Sequence, residues 1–163
     1  MSVKMTELAH KKLFPLTGAQ RNVWFHQKVD LNATAYNAGQ HIVIEGDLDT
    51  ERLDRIQKEL VQDTEILSLR FIEVDQTPFQ TFFPLSAPAL AQWDLRNEPN
   101  PELASQDLLH TQQHLPFDLQ EGPLFRFGLI RLAEQRWIWF WFYHHIIMDG
   151  AGVASMFSRL VQS

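Results

Sequence analysis

Apolar residues recur along this chain in two periods, and the switches between them mark its elements. Ala19, Val23 and Trp24 lie on one helical stripe behind Thr17 and Gln20, which stand at capping-box spacing, so a helix is predicted from Thr17 to about Lys28. Residues 32–37 read as loop. Gln40, Ile42 and Ile44 then alternate with His41, Val43 and Glu45, a strand ending at Gly46. Asp47 or Asp49 can cap a second helix, ending near Asp63, whose Leu53, Ile56 and Leu60 share a face. Leu67, Leu69 and Phe71 alternate with Ser68, Arg70 and Ile72, and a turn over residues 75–78 leads to the run Phe79 to Phe83, a β-hairpin. Pro84, Pro88, Pro99 and Pro101 punctuate an irregular stretch before a polar helix from about Glu102 to His114 with a partial apolar face of Leu103 and Leu108.

Two further strands, Leu124 to Leu132 and Arg136 to Tyr143, flank the tight segment Ala133, Glu134, Gln135. The second is apolar at every position from Trp137 to Tyr143, as a strand buried on both faces must be. A last helix, Gly152 to Ser163, carries Val153, Met156, Phe157 and Leu160 at helical spacing and stops without a Gly or Pro terminator, so its end reads as imposed. With no repeat, low-complexity tract or Gly/Ser linker, this order predicts one α/β unit: a single sheet covered by helices.

Composition narrows the function classes. At 163 residues, 45% hydrophobic and 21% charged, the chain has the apolar content of one folded domain. Its formal net charge of −6, without any Lys/Arg run, argues against a nucleic-acid groove, which lives on phosphate neutralisation. The absence of cysteine excludes disulfides, thiolate nucleophiles and Cys-based metal sites, and a cytoplasmic location is expected. Residues Met1 to Lys12 lack the apolar centre of a signal peptide, and the longest apolar run, Trp137 to Tyr143, falls far short of the roughly 20 residues that span a bilayer; no membrane segment is expected.

The richest chemistry is the run His144, His145, Ile146, Ile147, Met148, Asp149, Gly150, where the apolar strand passes into a loop and then a helix. Strand ends are where α/β folds place their sites. Adjacent histidines on a strand point to opposite faces, so one can look into a cleft while the other packs. That spacing makes a poor metal pair, and no third ligand is suggested, so no metal is expected. The residue types alone also fit two satisfied core histidines at a strand end.

The pattern HHxxxDG after a buried strand resembles the active-site motif of the chloramphenicol-acetyltransferase-like acyltransferases, which include the condensation domains of nonribosomal peptide synthetases. Thr17, Ala19, Gln20, Val23 and Trp24 resemble the first condensation-domain motif, SxAQxRLW, and Glu65, Leu67 and Phe71 resemble the second, RHExLRTxF. Phe117, Asp118 and Leu119, followed by Gly122, Pro123, Leu124, Phe125 and Arg126, resemble the stretch ahead of the active-site strand, so the likeness covers almost the whole chain. Asn22, Asp63, Thr64, Ser68 and Leu69 depart from the two motifs, and the motif arginine roles do not transfer. The Arg70–Phe71 pair, with the first motif close to Met1, resembles starter-type domains of siderophore-like assembly.

The resemblance implies an α/β fold, one chloramphenicol-acetyltransferase-like lobe with a mixed β-sheet packed with helices. Residues 1–14 read as an N-terminal extension and 15–163 as the N-terminal lobe, with the C-terminal lobe absent and the isolated lobe inactive. It implies amide formation between an acyl thioester and an amine, both on phosphopantetheine arms of acyl and peptidyl carrier proteins, with no cofactor bound directly and downstream synthetase modules as further partners. His145 is expected to face the tunnel and hold the amine or take its proton. His144 packs behind the strand end. Asp149 holds the turn by a buried salt bridge, with Arg21, Arg70 or Arg126 as candidates, or by backbone hydrogen bonds. The Gly150 N–H could donate to the developing oxyanion, where a side chain would crowd the thioester; a plain glycine at a helix start is the alternative. Lys11, Lys12 and Arg21 form the only local basic cluster for an acidic carrier. An epimerisation domain, a non-catalytic carrier-docking module and a small trimeric acetyltransferase are the competing readings.

Overall fold

A computed structural model describes residues 11–150, 152 and 153. Its first helix, α1 (Gly18–Val29), begins at the predicted place because Thr17 and Gln20 cap each other: the Gln20 N–H donates to Thr17 Oγ1 at 3.2 Å and the Thr17 N–H to Gln20 Oε1 at 2.9 Å. Helix α2 (Thr50–Asp63) is capped by Asp49, whose Oδ1 accepts from the Arg52 N–H at 2.9 Å. Its buried face is Gln57, Leu60 and Val61, with Leu53 packed against the same core. Helix α3 (Pro101–Gln113) starts with Pro101 behind the cap Asn100 and buries Ser105 and Leu109, while Leu103 stays exposed.

Strands run in two sheets where the pattern predicted one. In the larger, β2 (Asn37–Glu45), β7 (Arg136–His144), β6 (Phe125–Ala133) and β5 (Ala91–Asp94) lie side by side in that order. In the smaller, β4 (Thr77–Phe82) is central between β1 (Phe14–Pro15) and β3 (Leu69–Val74). Alternation records which face of a strand is buried and says nothing of which strand lies beside it, so the division of the strands was not visible in the pattern. The hairpin starts later than its apolar pattern, because Glu65–Ser68 forms a 3-10 turn in which the Leu67 N–H donates to Thr64 O at 3.0 Å. The mixed character of the large sheet comes from β5, which pairs parallel to β6 and which the pattern missed: four residues, mostly exposed, at a sheet edge. Phe14 pairs with Gln80, and Thr81 donates to the Lys12 carbonyl, so the small sheet begins inside the segment read as an extension.

Strand β7 organises the core. Its odd positions Trp137, Trp139, Trp141 and Tyr143 join one cluster with Trp24, Leu67 and Phe71; its even positions Ile138, Phe140 and Phe142 join another with Leu109 and Ile130. Two-sided burial of that many rings fixes the strand and aims its carboxyl end at the site. Gly152 and Val153 are helical as predicted, and the rest of the last predicted helix lies outside the described residues.

Candidate active site

The two histidines at the end of β7 have opposite surroundings. His144 is fully buried. Its backbone N–H donates to Leu124 O at 2.9 Å, its Nε2 stands 3.2 Å from Gln27 Oε1, and its Nδ1 accepts from the Ile146 N–H at 3.2 Å. Burial, and to a lesser degree the neighbouring His145, push its pKa down to about 4, so the ring is neutral at pH 7. His145 is exposed, its ring 6.5 Å from that of Tyr143 on the alternate face, and its backbone N–H is held by Tyr36 O at 2.8 Å. The expected division, one packed ring and one free ring, is what strand alternation yields here.

His145 borders a cleft of about 590 Å³ between the first turns of α1, the 3-10 turn and the loop after β7. Both motif segments serve that cleft. Gln20, besides capping α1, donates from Nε2 to Gln80 Oε1 at 2.9 Å and, more distantly, to Ile146 O at 3.4 Å, which ties helix, hairpin and histidine loop together. Leu67 and Phe71 are fully buried in the core cluster that also holds Ile146, Ile147 and Met148, and Thr64, which departs from the second motif, lines the cleft with an unbonded Oγ1.

Asp149 holds its turn through backbone N–H groups and not through a buried salt bridge. It is exposed, and among the described residues no cation pairs with it. Arg70 donates to Glu121 O and Leu69 O, Arg126 to the carbonyls of Gln112, Leu115 and Pro116, and Arg21 lies on the exposed face of α1. The alternative of backbone bonding is the one found. Asp149 Oδ1 accepts from the Gly152 N–H at 3.0 Å and its carbonyl from Val153 at 3.0 Å, so it caps the helix that begins after it. A Cβ built on Gly150 meets no atom of the described residues within 4 Å.

Of the basic cluster, Lys11 donates to Phe82 O at 2.9 Å and lies over the Phe83 ring, and Lys12 lies over Phe14. Among the described residues no group of His, Asp or Glu is placed to hold a metal, and no helix is long and apolar enough to cross a membrane. The residues that the motifs did not single out are Gln27 and Tyr36. Gln27 lies two turns after Gln20 on α1, a spacing that puts both on one face, but nothing local marks its partner.

Residues 10–162 match the family model described as the condensation domain. The chain is 30% identical to the isonitrile lipopeptide synthase of Streptomyces coeruleorubidus over 91% of its length and 10% of that protein's, and 29% identical to the dimodular nonribosomal peptide synthase of Bacillus subtilis over 92% of its length and 6% of that protein's. Among solved structures, a variant of the starter condensation domain of rhizomide synthetase superposes with a TM-score of 0.85 at 28% identity, covering 91% of this chain and 34% of that one. The first condensation domain of the calcium-dependent antibiotic synthetase, in complex with a substrate analogue, gives 0.82 at 29% identity, covering 91% and 36%. The chain thus spans a tenth or less of these synthases and about a third of the solved condensation-domain chains. With a family match across nearly its whole length and the HHxxxDG loop at the end of a doubly buried strand, this chain belongs to the condensation domain family.

Proposed function

We propose that the chain is the N-terminal lobe of a condensation domain that joins a carrier-bound acyl thioester to a carrier-bound amine, with His145 as the residue that meets the amine. The observation that carries this reading is the pairing of a buried, neutral His144 with an exposed His145 on the cleft. The amine nitrogen attacks the thioester carbonyl, the C–S bond breaks, the phosphopantetheine thiol leaves, and the proton lost from nitrogen ends on sulfur or solvent. An α-amino group titrates near 7.7–8.0 in model peptides, so roughly a tenth is already free base at pH 7, and positioning by the imidazole outweighs proton abstraction. The Gly150 N–H, at the start of the helix that Asp149 caps, is the donor assigned to the developing oxyanion.

A starter-type acyl donor, of the kind expected for siderophore-like assembly, is supported by the Arg70–Phe71 pair and by the likeness to starter condensation domains, one of them solved with C8-CoA. Half of the tunnel belongs to the second lobe in this reading, so the isolated chain is expected to be inactive. The test is single-turnover amide formation from loaded carriers in the full-length domain. His145→Ala should lower the rate more than His144→Ala at unchanged carrier affinity; equal rates for wild type and His145→Ala, with carrier binding retained, would leave a docking module instead.

A further inference from the structure

Gln27 sits on the last turns of α1, 117 residues away in sequence from the histidine it touches, and it is buried with only 2% of its surface exposed. Its orientation is set by what surrounds it. The amide nitrogen faces the carbonyls of Leu31 at 3.1 Å and Ala33 at 3.0 Å, with that of Asp30 at 3.4 Å, and carbonyls only accept. Its Oε1 is therefore the atom turned to His144, at 3.2 Å from Nε2, and since an amide oxygen also only accepts, the proton of that contact must sit on the ring. On the other side of the ring the Ile146 N–H points at Nδ1 from 3.2 Å, which requires Nδ1 to be bare. Two independent constraints thus select one state: the neutral ring protonated on Nε2.

The same side chain reaches His145 by a second route. By holding three carbonyls of the turn after α1, Gln27 shapes the loop that delivers Tyr36, whose carbonyl takes the His145 N–H at 2.8 Å. The peptide carrying His145 is therefore pinned before it, through the His144 ring, and at its own nitrogen, through the loop. We infer that Gln27 is a positioning residue that sets the His144 tautomer and the 31–36 loop together and so fixes where the His145 imidazole stands in the cleft. This rests on the reading of His145 as the functional imidazole. A proton on Nδ1 would set two N–H groups head to head and release Ile146, so the loop keeps its shape only while His144 is neutral. The Tyr36 and Phe117 rings flank His144, and His145 is the titrating group whose charge acts on it.

Nitrogen-15 NMR of the full-length domain, labelled at histidine, reads the tautomer without reference to activity. The expected result is Nε2 protonated and Nδ1 bare across neutral pH, and a proton on Nδ1 would overturn the inference. Gln27→Met keeps the shape and removes both contacts. It should move the His145 ring signals and lower kcat for amide formation by about 10- to 100-fold while KM for the loaded carriers stays within about twofold. Gln27→Glu keeps an acceptor for Nε2 but favours the imidazolium, so its rate should rise with pH across the neutral range more steeply than that of wild type, whose own rise follows the free-base fraction of the amine. Unmoved His145 signals with full kcat in Gln27→Met would overturn the inference, and if that variant does not fold, the wild-type tautomer and the Gln27→Glu pH profile decide it. A domain with the expected tautomer and the His145 shift but no amide formation would instead sink the proposed reaction.

Discussion

Strand β7 and the loop that follows it share one hydrophobic cluster and differ in what they leave exposed. From Trp137 to His144 every side chain is buried, while His145, Asp149 and Gly150 are exposed. The strand is held by apolar area on both faces, each large side chain contributing on the order of 1.5–3 kcal/mol. The loop is anchored by Ile146, Ile147 and Met148, buried in the cluster of the strand's odd positions, and its polar groups are placed by a handful of hydrogen bonds: Gln20 to Ile146 O, Ile146 to the His144 ring, Ile147 to His144 O, and the Asp149 cap. Such a division places a rigid platform under a small segment whose polar groups remain available to a ligand.

The widest separation between the two regions should come from the strand itself. Trp141→Ala removes a ring stacked at 5.9 Å on Phe127 and 5.2 Å from Tyr143, and should cost about 3–5 kcal/mol in chemical denaturation; a loss below about 1 kcal/mol would mean that β7 does not carry the core. At the junction, His144 makes the fold acid-sensitive. Its pKa is about 4 in the folded chain against an ordinary 6.5, so above pH 6.5 it is neutral in both states and contributes no pH dependence. As pH falls from there, the unfolded chain takes up a proton that the folded chain refuses, and stability declines toward pH 4 by up to about 1.4 kcal/mol per unit. Melts of His144→Asn should lack that slope relative to wild type; parallel pH curves would contradict the buried neutral ring.

Within the loop the expected effects are smaller. Asp149→Ala loses a helix cap, worth about 0.5–2 kcal/mol, and not the larger penalty of a buried charge left alone. Gly150→Ala meets none of the described residues at a helix start and should leave the melt within about 0.5 kcal/mol of wild type. If that same variant slows amide formation in the full-length domain, Gly150 lies where substrate passes; an unchanged rate returns Gly150 to a structural role.

What could be read from the sequence follows the range of the interaction. The Thr17 and Gln20 capping box, the Asp49 cap and the all-apolar β7 are written in neighbouring residues and appear where expected. The β5 strand is four residues at an edge, too short and too exposed to leave a period, and the third strand of the small sheet depends on β1 finding β4 across the chain. The site shows the same boundary. Alternation separated His144 from His145, but Asp149 carries nothing that distinguishes a helix cap from half of an ion pair, and Gln27 reads as one more polar residue on a helix until β7 arrives beside it.

That distance has a kinetic side. Asn37 pairs with His144 and Gln27 bonds to its ring, so the first helix and the first long strand make their partners only when the last strand is in place. Closing so long a segment delays the pairing but adds little to its final cost, because closure entropy grows only with the logarithm of length. During synthesis β2 must therefore wait with its backbone edge unpaired and with Ala38 and Ile44, which pack on the core, uncovered, and the histidine loop is among the last of the described residues to take shape.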